Sequence, residues 1–215
     1  MQFQSSDIKA MDPRYRAAFM NSVSGFKSAN LVGTVNAKGQ TNLAIMSSAV
    51  HLGSSPPLLA LIIRPSSDDH QTLANILDSG CYSLNHVTSS IVEQGHQTAA
   101  RYPEDLSEFD ATGLSPVWHA GFGAPMVAEA GIKLGLSLRE HHELAINGTN
   151  LVIGEVVLAD LPAGCMAEDG ALDLVSAGTV ALSGLDTYCQ AVTFKRMAYA
   201  KTHLPPEVLW DASAQ

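Results

Sequence analysis

The chain is short of cysteine, aromatic residues and charge. Only three of its 215 residues are cysteines, Cys81, Cys165 and Cys189. The odd count and wide spacing give no CxxC or zinc-knuckle pattern and point to a reducing, intracellular setting. Charged residues are 15% of the chain and aromatics 6%, against 46% hydrophobic, a balance that argues for a packed core and against disorder. The charge present is one-sided, 21 acidic against 12 basic residues for a net −9. That argues against a phosphate-backbone-binding surface, and no nucleic-acid partner is expected. No apolar run approaches ~18 residues, so no membrane partner is expected. The opening MQFQSSDIKAMDPRYR lacks the apolar centre of a signal peptide. The expectation is a cytoplasmic single domain over 1–215.

Signature motifs are missing too. There is no GxGxxG after a strand, no GxxxxGK[ST], no GxSxG and no HExxH. The cluster Glu140-His141-His142-Glu143 suggests a metal site, but successive side chains on a strand point to opposite faces. It reads as a solvated strand edge, and no metal is expected.

What is present is a series of strand-like segments. Asp12 and Pro13 read as the cap and first position of a helix over 12–22. Segments 29–35 and 41–50 make a hairpin across a turn at 37–40. The apolar run 58–63 is too short for a helix and reads as a buried strand. Segment 72–78 has helical spacing and stops at Ser79-Gly80; 82–87 alternates, and 91–101 reads as a polar helix. The Pro-, Gly- and acid-rich stretch 102–125 reads as a long surface excursion of the kind that covers a site. Strands follow at 126–130, 132–146 and 151–161. Asn147-Gly148 reads as a hairpin turn because both residues accept positive φ, and Asp169-Gly170 marks another turn. Segment 187–199 reads as a closing strand. Strands outnumber helices with no βαβ alternation, so the fold class is mainly β, an antiparallel barrel with peripheral helices.

Three segments carry candidate chemistry. Ser47 and Ser48 put small hydroxyls and backbone groups beside apolar Met46 and Ala49, as a flat ligand requires. Arg64 stands where a buried strand meets a polar loop, and its guanidinium suits an anion. Thr72 and Asn75, one turn apart at a helix start, suit a phosphate, because that terminus presents free N–H groups and a positive dipole end. Asp68 and Asp69 oppose such a site unless they turn outward.

The run VSGFKSANLVGT (23–34) resembles the opening strand of the flavin reductase-like, FMN-binding split-barrel family. TNLAIMSSAVHLGSSPPLLALIIRP (41–65) is similar to its next two strands, and HQTLANILDSGCYSLNHV (70–87) to its T-x-x-N-I helix and following strand. NGTNLVIGEVV (147–157) and EDGALDL (168–174) are similar to its late hairpin and turn. The resemblance implies a six-stranded Greek-key split barrel over roughly 19–200, with an inserted region at about 88–125. It implies a homodimer with FMN at the interface. By position, Met46, Ser47, Ser48 and Ala49 would line the ring, while Arg64, Thr72 and Asn75 would hold the phosphate. Gln71 departs from the family's Asp or Lys before the threonine. The 102–125 stretch, with Trp118 and His119, is larger than in short reductases.

The chemistry implied is hydride transfer from NADH or NADPH to flavin, or through bound FMN to a small-molecule substrate, work that the cofactor itself performs. Ser48 and nearby N–H groups are candidates to hydrogen-bond the ring's N5/O4 edge. His96 is the candidate catalytic residue, to orient the nicotinamide or relay a proton. Tyr102 and Trp118 are candidates to stack on ring or substrate, and Arg196 and Tyr199 to reach a partner's site. The competing reading is a non-enzymatic FMN-binding electron-transfer or flavin-carrier protein.

Overall fold

The computed structural model describes residues 1–65 and 71–214; Asp68, Asp69 and His70 lie outside them. Seven strands pair into one antiparallel sheet. They are β1 (Asn30–Val35), β2 (Thr41–Met46), β3 (Ala49–Ser54), β4 (Pro57–Ile63), β5 (Cys81–His86), β6 (Lys133–Glu143) and β7 (Asn150–Asp160). Their order is β2-β1-β5-β6-β7-β4-β3. The two outer strands, β2 and β3, are consecutive in sequence and joined only by Ser47-Ser48. One bent run, 41–54, therefore forms both edges, and counted as a single strand it gives a barrel of six. The expected returning strand 41–50 is broken at this corner.

β1 is buried along almost its whole length. Val32 faces the barrel interior with Leu61, Ile76, Tyr82 and Leu136. Leu31 faces an outer layer with Leu43, Val87, Phe109 and Leu182. A strand sandwiched between two apolar layers shows no polar–apolar alternation, and full burial of one such leucine contributes about 2 kcal/mol. The helix Gln71–Ser79 turns Leu73 and Ile76 inward as a plug. It ends where Gly80, at φ 71°, donates its N–H to the Ile76 carbonyl at 2.9 Å. The helix Pro13–Ser22 starts as the sequence predicts, with Asp12 Oδ1 accepting from the Arg14 and Tyr15 amides.

The stretch 102–125 is more than a surface excursion. Ser107, Phe109 and Leu114 are buried, and the short helix Glu108–Thr112 packs on β2. Edge strands expose unpaired N–H groups, and here side chains take them. Glu108 Oε2 accepts from the Leu43 amide at 2.9 Å, and Thr98 Oγ1 from the Ile45 amide at 2.9 Å.

One turn and one strand differ from expectation. β6 and β7 are joined by six residues, 144–149, and only Gly148 has positive φ. The stretch 187–199 does not close the barrel, because the Ser47-Ser48 bend already does so. Thr187–Gln190 instead pairs with Val180–Ser183 in a three-stranded sheet with Lys27–Ser28, and Lys195–Met197 pairs with Val208–Asp211 in a C-terminal hairpin.

Candidate functional site

Met46, Ser47, Ser48 and Ala49 occupy the corner between the two barrel edges, all half-buried. Met46 and Ala49 pack against the interior cluster. Ser48 is tied to β4: its Oγ donates to the Ile62 carbonyl at 2.6 Å, and its carbonyl accepts from the Ile62 amide at 3.2 Å. The Ser48 hydroxyl proton is thereby spent on holding the bend, which leaves the Ser47 hydroxyl and main-chain N–H groups as the donors of the corner.

Arg64 ends β4 at the barrel rim. Its side chain is exposed and has no partner among the described residues. Its carbonyl accepts from Asn150 Nδ2 at 3.5 Å, and Asn150 Oδ1 lies 2.8 Å from His141 Nε2. His142 instead sits 2.7 Å from Glu140 Oε2, so the two adjacent histidines take different partners, as strand geometry requires.

Thr72 and Asn75 lie on one side of the helix, both buried. They meet two residues that sequence reading passed over, Thr34 and Asn42, which are cross-strand partners. Asn42 Nδ2 donates to Thr72 Oγ1 at 3.0 Å and to Thr34 Oγ1 at 3.3 Å, and Asn75 Nδ2 donates to Thr34 Oγ1 at 3.1 Å. This network fixes the first turn of the helix to the barrel wall. It turns the Asn75 amide inward. Thr72 Oγ1 acts as acceptor within it, which keeps its own proton for a further acceptor. The signal for the network was two polar residues at paired positions on otherwise apolar strands.

His96 is exposed. Its Nδ1 lies 3.1 Å from Tyr188 Oη, and the rings meet edge-on at 5.8 Å. Burial, and secondarily the nearby Asp186 carboxylate, raise the Tyr188 pKa. The phenol therefore stays protonated, and the direction of its hydrogen bond with Nδ1 is set by the His96 tautomer. Tyr188 also lines a cavity of about 510 Å³ together with Ser89, Ser90, Glu93 and Gln190. None of Met46, Ser47, Ser48, Ala49, Arg64, Thr72 or Asn75 lines that cavity. Tyr102 accepts from Gln97 Nε2 at 3.0 Å, and Trp118 is half-exposed. His119 Nε2 is 3.5 Å from Asp160 Oδ2 but makes no hydrogen bond among the described residues. Arg196 pairs with Asp169, and Tyr199 is 92% exposed. No helix of the described residues is long and apolar enough to cross a membrane.

A six-stranded antiparallel barrel whose two edges belong to one bent run is a split barrel. Residues 23–174 match the flavin reductase like domain, and the chain belongs to that family. A split-barrel protein from Shewanella frigidimarina NCIMB 400 that carries a provisional flavin-reductase name is 50% identical. It superposes with a TM-score of 0.90, covering 93% of this chain and all of its own. The 2-nitrobenzoate 2-nitroreductase of Pseudomonas fluorescens shares the fold, with a TM-score of 0.80 at 20% identity over 95% of this chain and 98% of that one. The uncharacterized protein YwrF of Bacillus subtilis (strain 168) is 29% identical over 131 residues, 59% of this chain. That match spans 64% of the length of YwrF.

Proposed function

We propose that this chain is an FMN-binding oxidoreductase, a homodimer that takes hydride from NADH or NADPH and delivers it to flavin or, through bound FMN, to a small acceptor. The observation that carries the reading is the Arg64 guanidinium, without a partner among the described residues, at the rim of a flavin reductase-like barrel. The donor set fits FMN. Arg64 and the Thr72 hydroxyl, with the free N–H groups of the helix's first turn, suit a phosphate. Thr34, Asn42 and Asn75 hold that turn in place. Met46 and Ala49 offer apolar contact to a planar ring, and the main chain at Ser47-Ser48 offers donors to its polar edge. FMN supplies hydride acceptance and release. The protein's own task is to seat and orient it and leave one face open. His96 orients the nicotinamide carboxamide by hydrogen bonding through its Nε2.

The test is a fluorescence titration with FMN and riboflavin, followed by NADH and NADPH oxidation. FMN is expected to bind more tightly than riboflavin and to support turnover above background. Equal binding of the two removes the phosphate assignment. Tight FMN binding without turnover replaces the reductase with a flavin carrier.

A further inference from the structure

We infer that Thr98 is a positioning residue for the flavin ring: its hydroxyl holds the edge of β2 so that the Ser47 main-chain N–H stays aimed into the corner. The inference rests on the FMN reading of that corner and adds to it a residue from outside the barrel.

The open edge of β2 is covered by side chains instead of a strand. Gln40 Nε2 donates to the Glu104 carbonyl, and Thr41 Oγ1 lies 2.7 Å from Ser107 Oγ. The Leu43 amide donates to Glu108 Oε2 and the Ile45 amide to Thr98 Oγ1, both at 2.9 Å. Successive N–H groups of an antiparallel strand point alternately to its two sides, and Leu43 and Ile45 mark the series that points away from β1. Ser47 is next in that series, one residue past the end of β2 at Met46. The covering stops at Ile45. Among the described residues the half-buried Ser47 N–H has no hydrogen-bond partner, and a sheltered donor of that kind is destabilising unless something meets it.

Thr98 is the last fixed point before this donor. It is 4% exposed. Its Oγ1 donates to the Gly95 carbonyl at 2.7 Å while accepting from Ile45. Ending the helix Val92–Gln97 does not require that hydroxyl, because the Thr98 main-chain N–H already donates to the same carbonyl at 3.2 Å. What the hydroxyl adds is direction. With its proton committed to Gly95, Oγ1 can only accept from β2. The same bond fixes the helix of His96 to the strand that enters the corner.

This geometry bears on the ring and not on the phosphate, which is assigned to Arg64 and Thr72. A donor held at the ring's polar edge stabilises the negative charge that gathers there on reduction. Loosening β2 at Ile45 therefore lowers both the affinity for the ring and the potential at which it is reduced.

The experiment uses the full chain and the variants T98V, T98S, T34V and R64A. Riboflavin and FMN are titrated by fluorescence, the midpoint potential of bound FMN is measured, and urea unfolding without flavin records stability. T98V is expected to weaken riboflavin and FMN alike, roughly tenfold, as for the loss of about one hydrogen bond. Its potential should move to a more negative value. T98S keeps the hydroxyl and is expected to match the wild type in affinity and potential. R64A should weaken FMN alone. T34V should lose stability and FMN but not riboflavin, so a riboflavin defect in T98V is not a by-product of a weaker fold. T98A, which also removes the hydroxyl, takes the place of T98V if T98V does not fold. A hydroxyl-free variant that binds riboflavin like the wild type at an unchanged potential overturns the inference, whatever its urea midpoint. So does one that loses FMN only, which moves the effect to the phosphate, and so does a T98S that fails like T98V. Those three results leave the flavin reading standing. A wild-type chain that binds neither flavin removes that reading and the inference with it.

Discussion

Thr34→Val is the sharpest probe of the link between barrel and helix. Valine matches threonine in shape, so the substitution leaves packing nearly unchanged and removes one acceptor. Thr34 is fully buried, and its Oγ1 accepts from both Asn42 and Asn75. Each stranded buried donor costs about 1–3 kcal/mol. Asn42 keeps its bond to Thr72 and loses only the longer contact, so the sum falls near 2–4 kcal/mol. For a domain of this size that lowers Tm by roughly 10 °C. The assay is urea unfolding at one fixed protein concentration, because association also moves the midpoint. Thr34→Ser keeps the acceptor and is expected to lose about 1 kcal/mol for its methyl group. Thr34→Val is also expected to weaken FMN while leaving riboflavin binding unchanged, since the network holds the helix start. If Thr34→Val lies within about 0.5 kcal/mol of the wild type, the range of a neutral surface change, the network does not bear on stability and this reasoning fails.

Arg64→Ala is expected to weaken FMN by about 1–3 kcal/mol, the value of a lost charge-assisted hydrogen bond; an unchanged titration removes Arg64 from the site. Tyr82 Oη is buried with no hydrogen-bond partner among the described residues, and burial raises the Tyr82 pKa. Tyr82→Phe should therefore be neutral or stabilising by up to about 1 kcal/mol at pH 7. The folded state holds this proton more tightly than the unfolded chain, so wild-type stability is kept below pH ~10 and lost as pH rises beyond it. The Phe variant should lose less there, and equal losses in urea melts would refute the assignment. His86 is shifted the other way, its pKa lowered by burial. The unfolded chain then takes up the proton first, so this contribution is present above pH ~6.5 and lost as pH falls. His86→Asn should flatten the decline in stability between pH 7 and pH 5, and a slope equal to the wild type's would contradict it.

Much of the barrel was legible in the sequence because local rules govern it. Asp12-Pro13 starts a helix and Gly80 stops one, since capping and positive φ are properties of a few neighbouring residues. The run 58–63 reads as a strand from its length alone. The family resemblance brought Ser47, Ser48, Arg64, Thr72 and Asn75 into one expectation. The partners of those residues were another matter. That Ser48 spends its hydroxyl on Ile62, and that Asn75 turns toward Thr34 rather than outward, depends on strands distant in sequence lying side by side. The stretch 102–125 looked like surface by composition, yet Phe109 and Glu108 are held by an edge strand some 65 positions earlier.

The sequence by itself therefore determined where the capped helices begin and end, because those choices are settled over a few bonds by φ preferences and by the side chain's own donors and acceptors, whereas the bend at Ser47-Ser48 emerged only in the folded barrel. Tertiary structure alone decided which polar groups are already satisfied inside the barrel, as the side chains of Thr34, Asn42, Thr72 and Asn75 are, and which, like the guanidinium of Arg64, have no partner among the described residues. Hydrogen-bond satisfaction is a pairwise property of groups that only folding brings within 3 Å or so of each other.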